Sequence, residues 1–284
     1  MMSVEEVSCG WPPSHPGRLT AKRATHGFTL MELLIVVAVV GLLAALIVPS
    51  IARAVESGKS AGCVSRLRAI GTAFMAYQAE NQNLVPGDDA SFGLPENITW
   101  ISALRDYCDI NSVRSCPAAP KPGGADLDNG GGNKWGSWKN AWGLGAGSWM
   151  LPAGDAGYSS YGMNMWARRG FQDSAAVERE RASLGSTRVS EASKIPLIMD
   201  ARWEGIWPVD TDPVPSSGAL KDGKKEIPMT GANWRMVDNL AMLRHGSGIN
   251  ICFLDGSVRP VPVNDLWTLK WNKNYEPLGP LNLH

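Results

Sequence analysis

Residues 27–51, GFTLMELLIVVAVVGLLAALIVPSI, constrain this chain more than any other stretch. From Leu33 to Ala52 twenty residues carry no formal charge. At 1.5 Å per residue they make about 30 Å of helix, the thickness of a hydrocarbon core. One carboxylate, Glu32, stands at the head of the run. An acid there is costly in lipid, so it must be protonated or find a cation. Residues 28–52 therefore read as a membrane-spanning helix, with Pro49 placed to kink or loosen it. Residues 1–27 form a polar leader carrying Arg18, Lys22 and Arg23, without the small-residue cleavage site after the apolar run that a secretory signal would have.

Helical spacing continues beyond the span. Val64, Leu67, Gly71, Phe74 and Gln78 recur at intervals of three and four, with Ile70 and Tyr77 widening the stripe. Asn81, Asn83 and Pro86-Gly87 supply stop signals. Residues 53–85 are thus a helix extension, and an unbroken helix over 28–82 would be roughly 80 Å long. Gly58 and Gly62 weaken it, by roughly 1 kcal/mol each against alanine.

Residues 86–284 form the remaining globular domain. A short helix is expected over 98–108, capped by Asn97. Residues 117–157 are a Gly-rich loop containing Trp135, Trp138, Trp142 and Trp149. Those rings either make an exposed aromatic platform for a glycan or protein, or fold inward to pin an underpacked loop, and the inward reading is favoured. A strand is expected over 158–166, a solvated charged helix over 175–183, a short buried strand over 195–200 and a loop over 210–225. Residues 249–263 read as a hairpin: Ile249, Ile251 and Phe253 alternate with Asn250, Cys252 and Leu254, and Asp255-Gly256 supplies a two-residue turn. Pro260 and Pro262 confine the return strand to an edge. The fold class is α+β, a long N-terminal helix packed by its second half on a small antiparallel sheet.

Charge excludes less obvious partners. Lysine and arginine number 27 and aspartate and glutamate 27, so no global field points to nucleic acid. No G-x-S-x-G, H-E-x-x-H or P-loop motif is present, and no enzymatic activity is expected. Of five cysteines, Cys108 and Cys116 are the close pair, and a disulfide between them and two separate buried thiols stand as equal alternatives. No C-x-x-C pair or His-rich cluster suggests zinc.

The junction G-F-T-L-M-E before an uncharged run resembles the N-terminus of type IV prepilins and type II secretion pseudopilins. The resemblance implies cleavage between Gly27 and Phe28 by a prepilin peptidase, methylation of the new amino group on Phe28, and assembly into a pseudopilus or pilus-like filament. It further implies an inner-membrane assembly platform, copies of the chain or other pilin-like subunits as partners, and a cytoplasmic N-terminus with an extracytoplasmic domain. Glu32 would pair with the α-amino group of a neighbouring subunit's Phe28. A membrane-anchored surface module acting through the Trp-rich loop is the alternative.

His245 and Asp255, nine residues apart and followed by Gly256, resemble the H-x9-D-G motif of a group of bacterial prepilin-like proteins. The tail V-N-D-L-W-T-L-K-W, and loosely C-P and S-Y-G-M-N, look like that group as well. A straight strand between the two residues holds their side chains some 20 Å apart, so a shared ion or proton relay is not expected. Asp255 reads as a turn former and His245 as a loop residue with a local hydrogen bond. Pseudopilins commonly carry calcium, for which Asp210, Asp212, Asp222 and Asp238 are the candidate oxygens, although their spacing fits no EF-hand.

Overall fold

The computed structural model describes residues 28–81, 85, 100–120, 135–144, 157–167, 184, 189–220 and 236–283. The chain divides into two compact units, Met1–Pro49 and Ser50–His284. Helix α1, Leu30–Glu80, belongs to both and contains Pro49.

In the first unit α1 has no buried residue across its most apolar window, whose mean hydropathy is 2.9. The helix is long and apolar enough to cross a membrane, and that surface fails the test of a soluble core helix, which would be mostly buried.

In the second unit α1 buries Cys63, Leu67, Ile70, Gly71, Ala73, Phe74, Tyr77 and Gln78. The expected stripe is present, with Cys63 rather than Val64 inward in its first turn. Asn81 ends the helix by donating both its backbone N–H and its side-chain amide to the Tyr77 carbonyl, at 2.9 and 2.8 Å. The expected helix over 98–108 is reduced to one turn, α2 at Trp100–Ala103, and a second single turn, α3 at Ile110–Val113, follows it. The proposed cap Asn97 and the charged helix over 175–183 lie outside the described residues.

The main sheet has five strands in the order β5-β3-β4-β6-β7: β3 is Tyr161–Asn164, β4 Pro196–Asp200, β5 Gly205–Ile206, β6 Gly248–Phe253 and β7 Val258–Pro262. All its pairings are antiparallel except the parallel β3–β5 pair, so the sheet is mixed. The expected strand over 158–166 is broken in two: β2, Gly157–Ser159, leaves to pair antiparallel with β1, Trp142–Leu144. A one-turn helix α4, Met236–Asn239, precedes the hairpin.

Strand β6 is buried on both faces. Ile249, Ile251 and Phe253 pack with Met199 of β4 and with Leu266, Trp267 and Trp271 from the C-terminal segment. Cys252 and Leu254 pack with Leu67, Ile70, Phe74 and Tyr161. The helix therefore covers the face that looked the more polar in sequence. Gly71 is what permits this: a Cβ there would lie 2.8 Å from the Cys252 Sγ.

The hairpin turn differs from the expected two-residue one. Asp255 keeps a negative φ, while Gly256 sits at +81°. The Gly256 N–H donates to the Phe253 carbonyl at 2.9 Å and the Phe253 N–H to the Ser257 carbonyl at 2.8 Å. That is a three-residue loop, a type I turn closed by a left-handed glycine, in which only one position needs positive φ. Val258–Pro262 is the edge strand that its prolines require.

Candidate functional site

Two places bring chemistry-bearing residues together, one in each unit. At the start of α1, Thr29 is the N-cap. The Glu32 N–H donates to Thr29 Oγ1 at 3.2 Å, while Thr29 N–H and Oγ1–H both donate to Glu32 Oε2 at 2.9 Å. This reciprocal pairing is a capping box, satisfying orphan donors at the helix start. The T-x-x-E spacing was its signal in the sequence. Phe28 is 81% exposed, and Gly27, the other half of the expected cleavage site, lies outside the described residues.

The second place is a buried cluster of Cys63, Cys116, Asp200 and His245, whose ligating atoms all lie within 4.8 Å of one another. Four separate segments deliver them. Cys63 follows Gly62 on α1, and a Cβ at Gly62 would come 3.1 Å from the Pro117 ring. That close approach lets the segment carrying Cys116 lie against the helix, where Arg66 Nη1 donates to the Ser115 carbonyl. Asp200 ends β4 and accepts the Asn250 N–H of β6 at 2.9 Å. His245 stands in the turn before β6, closed by its N–H donating to the Gly248 carbonyl at 3.1 Å, with Gly246 at φ +76°.

His245 Nε2 is 3.2 Å from Cys116 Sγ and 3.3 Å from Asp200 Oδ2. Cys63 Sγ lies 3.6 and 3.7 Å from the two Asp200 oxygens. Around these four, Tyr161 Oη donates to Cys63 Sγ at 3.4 Å and the Ala118 N–H to Cys116 Sγ at 3.3 Å. Arg244, 1% exposed, donates from Nη1 to Asp200 Oδ1 at 3.1 Å and from Nη2 to the Ser137 and Ala201 carbonyls at 2.8 and 2.9 Å. It reaches the Ser160 carbonyl as well. His245 Nδ1 is buried and has no hydrogen-bond partner among the described residues.

The electrostatics follow from this packing. Burial opposes the charged form of Asp200, but hydrogen bonding to His245 and the Arg244 charge outweigh it and hold the carboxyl below its ordinary value. Burial likewise works against a charged His245, yet its hydrogen bonds to Asp200 and Cys116 raise the ring to about 10. At Cys116 burial is outweighed by hydrogen bonds from Cys63 and His245 and by the Arg244 charge, bringing the thiol down to about 6. Cys63 goes the other way: burial, its hydrogen bond with Cys116 and the Asp200 charge push it well up.

Several expected site residues are placed differently from the sequence reading. His245 makes no merely local bond, for its partners Cys116 and Asp200 lie far off in sequence. Asp255, by contrast, is the expected turn former, its Oδ1 accepting the Ser257 N–H at 2.9 Å and hydroxyl at 2.6 Å. Cys108 and Cys116 are not bridged; both are free thiols. Cys108 donates to the Leu104 carbonyl at 3.7 Å, while Cys116 turns inward to His245, so the pair near in sequence faces different surroundings. Of the candidate calcium ligands, Asp212 Oδ2 accepts the Val209 and Met236 N–H groups at 3.3 Å. Asp238 is buried and Asp210 exposed, and Asp222 lies outside the described residues.

The tryptophans point inward where they are described. Trp142 is fully buried and donates from Nε1 to the Tyr161 carbonyl at 2.9 Å. Trp135 stacks on Trp203 with ring centroids 4.5 Å apart. Trp138 is partly buried with Lys139 Nζ 4.7 Å from its ring centre, and Trp149 lies outside the described residues.

Comparison with known proteins bears on the first site. A family profile described as "Prokaryotic N-terminal methylation motif" matches residues 22–48. The type II secretion system core protein G of Aeromonas hydrophila is 28% identical over 99 residues, covering 35% of this chain and 69% of that protein. No solved structure matches. With a methylation motif spanning its capped apolar helix start, and a secretion-system core protein among its relatives, the chain is a prepilin- or pseudopilin-like protein.

Proposed function

We propose that the chain is a structural subunit of a type II secretion pseudopilus or a type IV pilus-like filament. A prepilin peptidase cuts between Gly27 and Phe28 and methylates the new α-amino group, and an inner-membrane platform assembles the product with copies of itself or with other pilin-like subunits. The carrying observation is the start of α1: an exposed Phe28 followed by Glu32, on a helix whose apolar surface has no cover among the described residues. In lipid that surface needs no cover; in a filament, neighbouring helices supply it. The N-terminus lies on the cytoplasmic side and the second unit outside the cytoplasm. The reactions here are done to the chain rather than by it.

Within the single chain Glu32 is held by Thr29. In the filament its carboxylate takes the α-amino group of a neighbour's Phe28, the cation that an acid in apolar surroundings requires. Mass spectrometry of the protein recovered from membranes should give a mature N-terminus at methylated Phe28. An intact leader in cells with an active peptidase would refute the reading. Glu32→Gln separates charge from capping, since glutamine also completes a capping box. The variant should be cleaved and membrane-inserted normally but absent from sheared filaments or cross-linked oligomers; normal assembly would remove the charge-pairing role.

A further inference from the structure

We propose that Cys63, Cys116, Asp200 and His245 bind a single structural zinc ion. The first support is geometric. Zinc bonds of about 2.3 Å to sulfur and about 2.0–2.1 Å to nitrogen and oxygen define a tetrahedron with edges of roughly 3.3–3.8 Å. The contacts among the four side chains are 3.2 Å (Cys116 to His245), 3.3 Å (His245 to Asp200) and 3.6 Å (Cys63 to Asp200). These three contacts match the edges of such a tetrahedron, and all four ligand atoms lie within 4.8 Å of one another, so a closure of about 1 Å at most brings them to bonding distance of one centre. Ordinary hydrogen bonding does not ask for all four to converge.

The second support is the surrounding shell. Metal ligands are oriented by outer hydrogen bonds, and anionic ligands by donors. Each of the three ligands that would be anionic has one: Tyr161 Oη on Cys63, the Ala118 N–H on Cys116, Arg244 and the Asn250 N–H on Asp200. Arg244 takes Oδ1, which leaves Oδ2 on the side of His245 and the metal. His245 Nδ1 alone lacks an outer partner.

Charge is the third. Two thiolates and a carboxylate carry three negative charges; zinc and Arg244 carry three positive ones. The buried centre is neutral, which a site with Asp200 and Arg244 both 0% exposed requires. Two sulfurs, an imidazole and one carboxylate in a closed tetrahedral set select zinc over calcium or magnesium, which take all-oxygen shells. No ligand position is left open, so the ion joins α1 to β4, to the turn after α3 and to the turn before β6 rather than performing catalysis.

The test uses the full chain in detergent, purified reduced and without chelator. Inductively coupled plasma mass spectrometry should find one zinc per chain. After stripping, cobalt(II) should restore a saturable one-to-one signal: intense visible bands of a tetrahedral ion with a thiolate-to-cobalt charge-transfer band. Cys116→Ser and His245→Ala should lose that signal, while Cys108→Ser, outside the cluster, keeps it. If a ligand variant fails to fold, the cobalt spectrum of the unmutated chain decides alone. A featureless cobalt titration of folded, reduced protein would overturn the proposal. So would a Cys63–Cys116 disulfide mapped in the protein as isolated, or a cobalt spectrum that persists unchanged in folded ligand variants.

Discussion

Replacing Arg244 with methionine should lower the stability of the second unit by about 3–5 kcal/mol, the cost of removing one partner from a buried ion pair, with Asp200 left to His245 and the Asn250 N–H. Both side chains of the Arg244–Asp200 pair are fully buried, so neither water nor salt can screen the remaining carboxylate. The loss extends beyond charge. Arg244 also donates to the Ser137, Ser160 and Ala201 carbonyls, and methionine offers them nothing. Lysine is no substitute, because an ammonium lacks the planar fork that serves carboxylate and carbonyls together. Urea unfolding followed by tryptophan fluorescence measures the effect, with Asp200→Asn and the double variant completing a cycle. The double variant should lose much less than the sum of the two singles, since the Arg244–Asp200 interaction is lost only once. Strict additivity would show that the two groups do not interact.

What could be read from sequence was whatever repeats locally. The α1 stripe and the β6–β7 hairpin follow periods of 3.6 and 2, the strand at Pro196–Asp200 is a short apolar run, and each is present. The apolar span with Glu32 at its head was legible as an uncharged run closed by one acid, whereas the role given to Phe28 came from the family resemblance. The cluster was not. Cys63 and Asp200 lie 137 positions apart and Cys116 and His245 129, and no spacing rule joins such residues. The one available signal was on α1, where stepping back four from Leu67 puts Cys63, not Val64, on the inward face. Sequence proximity misled twice. It offered Cys108 as a possible partner for Cys116, with two separate thiols the equal alternative, and it gave His245 a local bond, because chain neighbours are the only neighbours a sequence displays. The turn was misjudged for a different reason: Asp-Gly can close a two-residue turn or end a three-residue one, and only backbone pairing decides between them.

Trp142→Ala should cost about 3–5 kcal/mol, the range for deleting a large aromatic side chain from a packed core. Trp142 opens the strand β1 and is 0% exposed. Its ring lies 6.1 Å from that of Trp203, which in turn stacks on Trp135, and its Nε1 donates to the Tyr161 carbonyl at the start of β3. One side chain thus ties the two-stranded sheet to the five-stranded one, and a cavity there has rigid strands on both sides and little means of collapsing. Trp142→Phe keeps most of the apolar area and loses one hydrogen bond, so it should cost nearer 1 kcal/mol. Trp138→Ala should fall well below Trp142→Ala, because that ring is only partly buried. Thermal unfolding of the three variants checks the order. An aromatic platform for glycan or protein would reverse it: exposed rings can be removed with changes within about 0.5 kcal/mol, and Trp142→Ala would then unfold like the unmutated chain. The inward geometry requires the opposite, since among the described residues of this Gly-rich stretch this fully buried ring, with Trp135, holds the chain against the sheet.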